Sequence, residues 1–584
     1  MSKALNNILP GWLRGSLRNR AWIFVVLAIL LSLVVRVRLR DMPLERDEGE
    51  YAYAGQLILQ GVPPYKDAYN MKLPGTYVAY ALIMALFGQT PTGIHLGLAL
   101  VNAATIWLLF LLGRRLLDDA AGATAAVAYG LMSLSPNVLG LAGHATHFVV
   151  LPAVGGILLL LRALDASRNG DAPKADSGSY SLDPKLLLVS GVLFGLAFVM
   201  KQHGIFFGLF GGLFLLWVRF EPRLVGPGNG GLGSRRSPRR RAGEVVPVGW
   251  SGLFKELGCF SAGCLLPYLV VCVWLWAAGV FPQFWFWTMT YGSNYASSVP
   301  LVKASDLTST MLRAVIGPNL VFWLLPWVGA LMMWWDERLD GHRRFLLTAL
   351  FLCSVASISI GFYFREHYFI QLLPVLSLLI AVAVSRSLRL LRGDQSIELF
   401  LALAVLVVSV VATGAVLIGY GAIWFTIPPR KAVEQIYGST VFGDARDAAA
   451  FIQANTSPDA RIAVVGSEPE IYFYARRRSA TGHIYTYALM ERQPHALTMQ
   501  EEFIREVESA RPEYVVYVNN QYSWLARPES EKKLLDWWPA YWSTNLNLVR
   551  TISTRQGEDL RENPPATRTD SGPPAFLLIL NRKQ

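Results

Sequence analysis

The sequence predicts a polytopic α-helical membrane protein that carries a small soluble α/β domain at its C-terminal end. Hydrophobic residues make up 53% of the 584 residues and charged residues only 16%, a composition far too apolar for a soluble protein of this length. Apolar runs of about 20 residues, the length that crosses a bilayer as a helix, recur from Ala21 to Gly421. After Gly421 the apolar runs become short and alternate with amphipathic segments.

Eleven apolar runs are long enough to be transmembrane helices. A further apolar stretch, Gly75–Phe87, has only about four turns, which is typical of a juxtamembrane or re-entrant helix. The eleven predicted spans are Ala21–Val37, Gly93–Leu112, Ala121–Leu139, His147–Leu164, Lys185–Met200, Gly204–Arg219, Phe254–Ala278, Gly317–Trp335, Phe345–Phe362, Tyr368–Ser385 and Glu398–Gly421.

Lysine and arginine clusters predict the orientation of these spans. With a cytoplasmic N-terminus, clusters such as Arg114–Arg115 and Arg239–Arg241 fall in cytoplasmic loops, as the positive-inside rule requires. Counting Gly75–Phe87 as a crossing would place nearly all of these clusters outside. One conflict is the arginine group in Arg36–Arg40, which falls just outside the first span. The pattern therefore favours eleven spans and an external C-terminus.

This topology predicts a multi-pass protein of the plasma (inner) membrane with two domains. Residues 1–421 form the transmembrane domain, and residues 422–584 form an external or periplasmic α/β domain. Two cytoplasmic loops, 166–183 and 221–249, are rich in Gly, Pro, Ser and charge and are predicted to be disordered linkers. The net charge of +12 is explained by loop topology and by contact with anionic membrane lipids, so it does not indicate nucleic acid.

Short apolar runs in the last part of the chain predict a sheet. Arg461–Gly466 and Glu513–Val518 are typical of buried strands, and Ala575–Leu580 predicts a third. Helical periodicity is present in Asp444–Ala454 and Met499–Ser509. We therefore expect a compact α/β domain, with Gln556–Pro574 as a mobile loop.

Unusual polar residues gather on the external side of the predicted topology. Ionisable groups beside membrane spans are costly unless they pair or serve a function, so clusters on one face indicate a shared cavity. The first external loop, 38–92, is the richest of them. The candidate site residues on this side are Asp47, Glu48, Tyr51, Lys72, His144, His147, Lys201, His203, Tyr291, Asn294, Arg365 and His367.

Each cluster also has a structural interpretation, which stays open. Asp47 and Glu48 have the position of charges that stabilise the N-terminus of an amphipathic helix, Glu48–Gln60. Cations such as Lys201 are typical of lipid headgroup contacts. His144 and His147 have a spacing that a metal can use, but no third ligand is evident.

Three segments resemble a known family. The run DEGEYAYAGQLILQGVPPYKDAYNMKLPGTYVAYALIMALFG, the turn FYFREHYFIQLLP and the segment DARDAAAFIQANTSPDARIAVVGSEPEIYFYARRRSATG are similar to bacterial members of one group of GT-C membrane glycosyltransferases. That group contains the protein O-mannosyltransferases and the aminoarabinose transferases. The three segments extend from the first external loop into the C-terminal domain, and the first motif is fairly specific.

The resemblance implies roles for two residues. The acidic pair in the first external loop begins with a catalytic carboxylate, which matches Asp47 followed by Glu48, and a later basic residue that holds the lipid phosphate matches Lys72. The chain departs from the family at His147, where many members carry an acidic residue. It departs again after Lys72, where Leu73 and Pro74 replace a frequent pair of prolines. These departures concern the acceptor and the local shape of the loop.

The expected function is inverting transfer of a hexosyl or pentosyl group from a polyprenyl-phosphate donor. The acceptor is a lipid, a glycan or a protein on the external face of the membrane. A transporter or flippase of lipid-linked saccharides is the alternative, although such proteins often show internal repeats and none is detected here. No cofactor is assigned, and a divalent metal held among Asp47, Glu48, His144 and His147 stays open.

The candidate residues are assigned to three tasks. Asp47 and Glu48 are the expected catalytic carboxylates. Asp47 is expected to be the base that takes the proton from the acceptor. Nearby cations neutralise the negative charge of the phosphate leaving group, so no general acid is needed to protonate that phosphate. The expected phosphate-binding residues are Lys72, Lys201, Arg365 and His367, and the expected acceptor-side residues are Tyr51, His147, His203, Tyr291 and Asn294.

Overall fold

The computed structural model describes residues 11–169, 182–224, 250–297, 299–391, 395–555 and 575–583. The predicted linkers at 166–183 and 221–249 and the predicted loop Gln556–Pro574 lie mostly or wholly outside these residues. The labelled helices of the membrane part are α1 (Gly11–Arg38), α2 (Arg46–Leu59), α3 (Gly75–Phe87), α4 (Pro91–Leu116), α5 (Asp119–Ser133), α6 (Ala145–Asn169), α7 (Pro184–Met200), α8 (Ile205–Leu224), α9 (Trp250–Ala277), α10 (Leu301–Ile316), α11 (Leu320–Met332), α12 (Gly341–Ser359), α13 (Leu373–Leu390) and α14 (Ser396–Gly421).

Nine helical segments within the described ranges are long and apolar enough to cross a bilayer. They are Ala21–Arg38, Pro91–Leu116, Ala145–Asp165, Gln202–Phe220, Trp250–Ala277, Val302–Met332, Gly341–Phe362, Leu373–Leu390 and Ser396–Thr426. The other two predicted spans are also helices, α5 and α7, but they have only 15 and 17 residues. The chain is therefore a multi-pass helical membrane protein, as the sequence predicts.

The region 281–316, expected to be an external loop, is largely helical. It contains the short helices Phe281–Trp285, Phe286–Tyr291 and Gly292–Ala296, followed by the longer α10. Helix α10 continues through the turn Gly317–Asn319 into α11, so the apolar segment begins earlier than the predicted span. Sequence reasoning missed α10 because Lys303, Asp306 and Arg313 interrupt its apolar pattern.

The arginines that conflict with the positive-inside rule bind backbone carbonyl groups. Arg36 is buried and donates to the carbonyl oxygens of Ser133 and Gly140, at 3.0 and 2.9 Å. Arg38 donates to the carbonyl oxygen of Ile427 at 2.6 Å, beyond the end of α14. These two cations satisfy carbonyl groups at element ends, which explains charge beside the first span.

Glycine brings α3 against the end of α7, and this contact positions the external loop. A Cβ at Gly75 would lie 2.9 Å from the amide nitrogen of Met200 and closer still to the Val199 carbonyl. The Thr76 hydroxyl donates to the carbonyl oxygen of Met200 at 2.8 Å. Small residues let helix backbones approach closely. The first residue after α7 is Lys201, which is thereby placed next to the loop that carries Lys72.

The C-terminal domain contains a five-stranded mixed sheet with the strand order β2-β1-β3-β5-β4. Strand β1 pairs in parallel with β2 and β3, whereas β5 is antiparallel to both β3 and β4. The three strands predicted from the sequence are β1, β3 and β5. The labelled elements are α15 (Pro429–Tyr437), α16 (Val441–Ala454), β1 (Arg461–Val465), α17 (Glu470–Ala475), β2 (Arg478–Ser479), α18 (Ala496–Ala510), β3 (Tyr514–Asn519), α19 (Lys533–Asn545), β4 (Leu546–Thr554) and β5 (Ala575–Arg582).

The membrane helices and the C-terminal domain share one buried apolar cluster. It extends from Val25 in α1 through Trp424, beyond α14, to Tyr472 in α17 and Ile462 in β1. Loop 38–92, which the sequence predicts to be external, lies between the two parts. Its helix α3 contacts the membrane helices α4 and α7, and its helix α2 contacts α17 of the C-terminal domain.

Candidate active site

The first turn of α2 is fixed by a reciprocal capping box. The Glu45 carboxylate accepts from the backbone N–H of Glu48 at 2.9 Å, and the Glu48 carboxylate accepts from the N–H of Glu45 at 3.4 Å. Such a pair satisfies two donors that a helix end leaves free. Asp47 takes no part in this capping, so its carboxylate is available for another contact.

Lys72 lies between two carboxylates of α2. Its Nζ donates to Asp47 Oδ1 at 2.8 Å and to Glu50 Oε2 at 2.6 Å, and the Tyr77 hydroxyl donates to the other oxygen of Glu50 at 2.5 Å. Asp47 and Glu50 are three residues apart and share one helix face. The Lys72 and Asp47 side chains keep 20% and 25% exposure, whereas Glu50 keeps 1%. A ligand can therefore reach Lys72 and Asp47.

The loop between α2 and α3 is tied down just before Lys72. Tyr65 is buried, has a left-handed backbone (φ 66°), and donates its hydroxyl to the carbonyl oxygen of Lys72 at 2.7 Å. Its ring packs against Phe284 at a centroid distance of 5.4 Å. Non-glycine residues adopt positive φ at a cost, so packing must hold this turn. The turn thus places the Lys72 ammonium group next to Asp47.

Burial and neighbouring charges shift the pKa values of Lys72, Asp47 and Glu50. Burial opposes ionisation of Lys72, but the attraction of the Asp47 and Glu50 carboxylates outweighs this effect and raises the pKa of Lys72 well above its usual value. Burial likewise opposes the Asp47 carboxylate, yet Lys72, His144 and His367 hold its pKa well below the usual range. For Glu50, burial dominates over Lys72 and the pKa is raised. The surroundings thus favour the ionised form of Asp47 more strongly than that of Glu50.

Two stacked histidines face the second oxygen of Asp47. The His144 and His367 rings are 4.2 Å apart and nearly parallel, and they lie 3.8 and 3.9 Å from Asp47 Oδ2. Burial would lower the pKa of His144, but Glu45 and Asp47 outweigh it and raise the pKa. Burial and the neighbouring His144 lower the pKa of His367. Burial raises the pKa of Glu45 to about 7, although His144 opposes this shift.

Glu48 faces away from Lys72. Its Oε1 accepts from the Gly143 N–H at 2.5 Å and contacts Nε2 of His95, a residue of α4, at 3.1 Å. The side chain is buried. The structure thus separates the predicted acidic pair: Asp47 is partly exposed and contacts Lys72, while Glu48 caps α2 and joins it to α4 and to the turn before α6.

The other predicted cations lie around Tyr368. Lys201 Nζ is 4.0 Å from the centre of the Tyr368 ring, and the buried His203 meets the same ring edge-on at 4.6 Å. Burial lowers the pKa of Lys201 to about 7, with Lys72 acting in the same direction and Asp47 opposing. Arg365 is exposed and lies 5.7 Å from the Tyr363 ring. His367, next to Tyr368 in the chain, completes this group.

Besides His203, the acceptor-side predictions fall in three places. The Tyr51 ring lies 4.7 Å from Lys72 Nζ, inside the cluster. His147 is buried and contacts the Gly140 carbonyl oxygen at 3.0 Å, so it bonds within the helix bundle. The Tyr291 hydroxyl donates to Glu491 of the C-terminal domain at 2.6 Å, and Asn294 is half-buried on the next short helix.

Sequence reasoning missed residues that the C-terminal domain contributes. The Tyr485 ring is 5.9 Å from Lys72 Nζ, and its hydroxyl donates to the carbonyl oxygen of Arg46 at 2.9 Å. Glu45 and Glu50 were also not assigned roles, although both lie beside Asp47 in the chain. A signal existed for these two, because they belong to the same acidic run. No signal in one sequence links residue 485 to residue 72.

Within the described residues, Asp47, His144 and His367 also form a group that could hold a metal ion. Their ligand atoms lie within 4.8 Å of one another. Around a tetrahedral Zn²⁺ bound at about 2.0–2.2 Å, ligand atoms are separated by about 3.3–3.6 Å, so a small inward shift would suffice. However, Lys72 already neutralises Asp47, and a second cation would meet its repulsion.

A known family matches part of the chain. The model described as dolichyl-phosphate-mannose-protein mannosyltransferase matches residues 72–226, a segment that includes Lys72, His144 and Lys201 and begins after Asp47. No curated protein matches the chain in sequence.

Solved structures match nearly the whole chain in fold. ArnT from Cupriavidus metallidurans bound to undecaprenyl phosphate has a TM-score of 0.54 and 16% identity, over 96% of this chain and 98% of that chain. An Archaeoglobus fulgidus oligosaccharyltransferase tethered to an acceptor peptide has a TM-score of 0.54 and 13% identity, over 87% and 70%. AglB from the same organism, in complex with an inhibitory peptide and a dolichol-phosphate, has a TM-score of 0.50 and 13% identity, over 86% and 70%.

At these identities the likeness establishes the fold. The chain has the fold of GT-C membrane glycosyltransferases, which confirms both the predicted fold class and the resemblance identified from three sequence segments. The family match and the shared fold together indicate a glycosyltransferase.

We expect the Asp47–His144–His367 group to be stable without a metal, because Lys72 supplies the positive charge. The melting temperature of the purified protein in detergent should be unchanged by EDTA and by added Zn²⁺ or Mn²⁺. The His144→Ala variant is the control. A melting temperature that falls in EDTA, recovers with Zn²⁺ and loses both responses in His144→Ala would assign a metal site instead.

Proposed function

We propose that the chain is an inverting glycosyltransferase that moves a sugar from a polyprenyl-phosphate donor to an acceptor on the external face of the membrane. The observation that carries this proposal is the direct contact of Lys72 with Asp47 in an accessible cluster of cations. A phosphate leaving group needs fixed positive charge, and an acceptor needs a base; one cluster offers both.

The predicted cations have the properties of a phosphate site. Lys72 and Lys201 are ammonium groups that keep partial access to solvent, and Arg365 is exposed. His367 packs between His144 and Tyr368. Two structures of the same fold contain lipid phosphates, undecaprenyl phosphate in ArnT and dolichol-phosphate in AglB. We infer that Lys72, Lys201, Arg365 and His367 hold the donor phosphate in this chain.

Donor binding should activate Asp47. In the structure Lys72 holds the pKa of Asp47 well below its usual range, which makes the carboxylate a weak base. When the donor phosphate draws the Lys72 charge toward itself, that stabilisation decreases and the pKa of Asp47 rises toward the range of an effective base. The same ammonium thus keeps Asp47 ionised before the donor arrives and supports the leaving group afterwards.

The reaction is a single displacement at C1 of the sugar. Asp47 takes the proton from the acceptor hydroxyl or amine, the acceptor atom forms a bond to C1, and the bond from C1 to the phosphate oxygen breaks. The electron pair of that bond leaves with polyprenyl phosphate, whose charge the cations stabilise. Attack opposite the leaving group inverts the anomeric configuration.

The acceptor side is assigned from position. Tyr51 and His203 flank the cations, while Tyr291 and Asn294 lie on short helices in 286–296, near the C-terminal domain. His147 is buried and contacts the Gly140 carbonyl oxygen, so its role on the acceptor side is indirect. The acceptor is a lipid, a glycan or a protein, and the transferred group is a hexosyl or pentosyl residue.

Residues 1–421 serve as the membrane domain and residues 422–584 as an external or periplasmic domain at the plasma (inner) membrane.

Asp47→Asn should nearly abolish sugar transfer while leaving the fold intact. Asparagine keeps the shape, and Glu50 remains to pair Lys72, so the variant should insert and still bind lipid phosphate. Loss of a general base commonly costs about 100-fold to 10,000-fold in rate. The measurement is release of free polyprenyl phosphate from a labelled polyprenyl-phosphate sugar by purified protein.

Asp41→Asn is the matched control for this variant, because Asp41 is an exposed acid at the start of the same loop. It should transfer at the parental rate. Transfer by Asp47→Asn at a similar rate would remove Asp47 from the chemistry. A parental protein that releases no free polyprenyl phosphate but moves the intact donor between leaflets would instead be a flippase.

Donor affinity should depend on pH through Lys201. With a pKa of about 7, Lys201 is a cation below neutrality and loses its charge above it, so KM for the donor should rise about tenfold between pH 6 and pH 8. A sugar phosphodiester keeps one charge over this range, which leaves the protein as the source of the change. Lys201→Arg stays charged and should remove this dependence. The same rise in KM for both proteins would contradict a role for Lys201.

The external orientation predicts which positions an impermeant reagent can reach. In a protein whose four native cysteines are replaced, Ser509→Cys on exposed α18 should react with an impermeant maleimide on intact cells. Glu337→Cys, between α11 and α12 in an arginine-rich loop, should react only after permeabilisation. The opposite result would place the cluster around Lys72 on the cytoplasmic side.

A further inference from the structure

The residue before Asp47 points into the C-terminal domain. Arg46 Nε donates to the carbonyl oxygen of Ser467 at 2.5 Å, and Nη2 donates to Glu468 Oε1 at 2.7 Å. Its guanidinium also lies 5.8 Å from the Phe442 ring and 5.5 Å from the Tyr487 ring. Two directed hydrogen bonds and two ring faces fix a planar cation in position and orientation. Arg46 is thus locked to the C-terminal domain.

Glu468 is held rigidly before it meets Arg46. Its second oxygen, Oε2, accepts from the Ser467 N–H at 2.8 Å and from the Ser523 hydroxyl at 2.6 Å. The side chain is fully buried, where an ionised carboxylate needs a partner. Glu468 follows β1, and Ser523 follows β3, its parallel neighbour. The carboxyl ends of adjacent parallel strands, where α/β folds often place ligand-binding groups, here bind a side chain of the first external loop.

The backbone on both sides of Asp47 contacts the same domain. The Leu44 N–H donates to the Tyr474 hydroxyl at 2.7 Å, and the Arg46 carbonyl oxygen accepts from Tyr485 at 2.9 Å. At Gly49, a Cβ would lie 2.6 Å from Glu470 Cβ, so α2 lies directly against α17 at this point. Only glycine permits this approach.

We propose that Glu468 is a positioning residue for the base of the transfer reaction. It acts through Arg46 to set the place of Asp47, and the C-terminal domain is therefore part of the active site. This inference rests on the proposed function for its kinetic consequences, while its structural consequence is independent of that function. Glu468 contacts Arg46 and not Asp47, so it does no chemistry itself.

The geometry predicts that Glu468 affects the base more than the donor site. Arg46 and Asp47 occupy the first two positions of α2, whose backbone N–H groups lack intrahelical partners, so the capping box and the Arg46 contacts together hold this turn. Glu50 lies one turn further in and is held by Tyr77 of α3 as well as by Lys72. Releasing Arg46 should let Asp47 move while the Lys72–Glu50 contact persists. A displacement of about 1 Å at a reacting group can cost on the order of 100-fold in rate.

A second ion pair between the same two parts provides the matched control. Arg446 of α16 binds Asp41 at 3.2 Å, with 40% and 57% of the side chains exposed. It also joins the C-terminal domain to the first external loop, but six residues away from Asp47 and at the surface. Exposed pairs contribute little to stability or geometry. Asp41→Asn should therefore change neither rate nor local order.

The kinetic test is Glu468→Gln in the full-length protein, reconstituted in nanodiscs with a labelled polyprenyl-phosphate sugar. We expect kcat to fall about 10-fold to 100-fold, KM for the donor to stay within about twofold, and Asp41→Asn to match the parental protein. Ser523→Ala removes one hydrogen bond to Glu468 but keeps the charge pair, so it should show a smaller loss of kcat with the same split. Unchanged kcat in folded Glu468→Gln would overturn the proposal.

Hydrogen exchange separates this proposal from the proposed function. Amide exchange in a peptide covering residues 46–52 should be faster in Glu468→Gln than in the parental protein and in Asp41→Asn, whether or not sugar transfer is observed. If exchange does not change, Glu468 does not position this turn. If exchange changes as expected but the parental protein transfers no sugar, the proposed function fails and the positioning role remains. Should Glu468→Gln not fold, Ser523→Ala supports the same comparison of exchange and kcat.

Discussion

The ammonium group of Lys72 contacts two carboxylates, at the point where α2, α3 and the loop between them meet. Asp47 and Glu50 come from α2, the ammonium from the connecting loop, and Tyr77 from α3 closes the second side of Glu50. In a partly desolvated site a charge cannot lose its partner without a large penalty. The capping box, the Tyr65 turn and the approach at Gly75 all agree with the arrangement of the loop around Lys72.

The two carboxylates that share Lys72 are not equivalent. Asp47 keeps 25% of its side-chain surface and has a lowered pKa, whereas Glu50 keeps 1% and has a raised pKa. Carboxylates whose environments push their pKa values apart usually serve different tasks. Here the more exposed group contacts the cation from the solvent side, and the buried group anchors it. One lysine thus links an accessible carboxylate to a buried one.

Sequence patterns predict most helices and strands of this chain, but they predict only some of its side-chain contacts. The apolar helix Gly75–Phe87 and the cores of β1, β3 and β5 follow from periodicity, because burial imposes it directly. Lys72 and Asp47 were found together because a known motif contains both. Glu48 belongs to the same run, yet its place at the third helical position turns it toward His95. The direction of a side chain depends on the cap that starts the helix, and the Glu45 cap was not predicted. Contacts such as Arg46–Glu468 join distant segments and leave no pattern in a single sequence.

The distance along the chain between Arg46 and Glu468 has a consequence for biogenesis. The two residues are separated by 422 positions. At a synthesis rate of about 5–20 residues per second, the loop with Asp47 emerges roughly 20–80 s before its partner exists. Strand β5 is made later still, yet it lies between β3 and β4 in the sheet. Membrane insertion of the early helices must therefore precede formation of the C-terminal sheet, and the first turn of α2 acquires its final neighbours only when nearly all of the chain has been made.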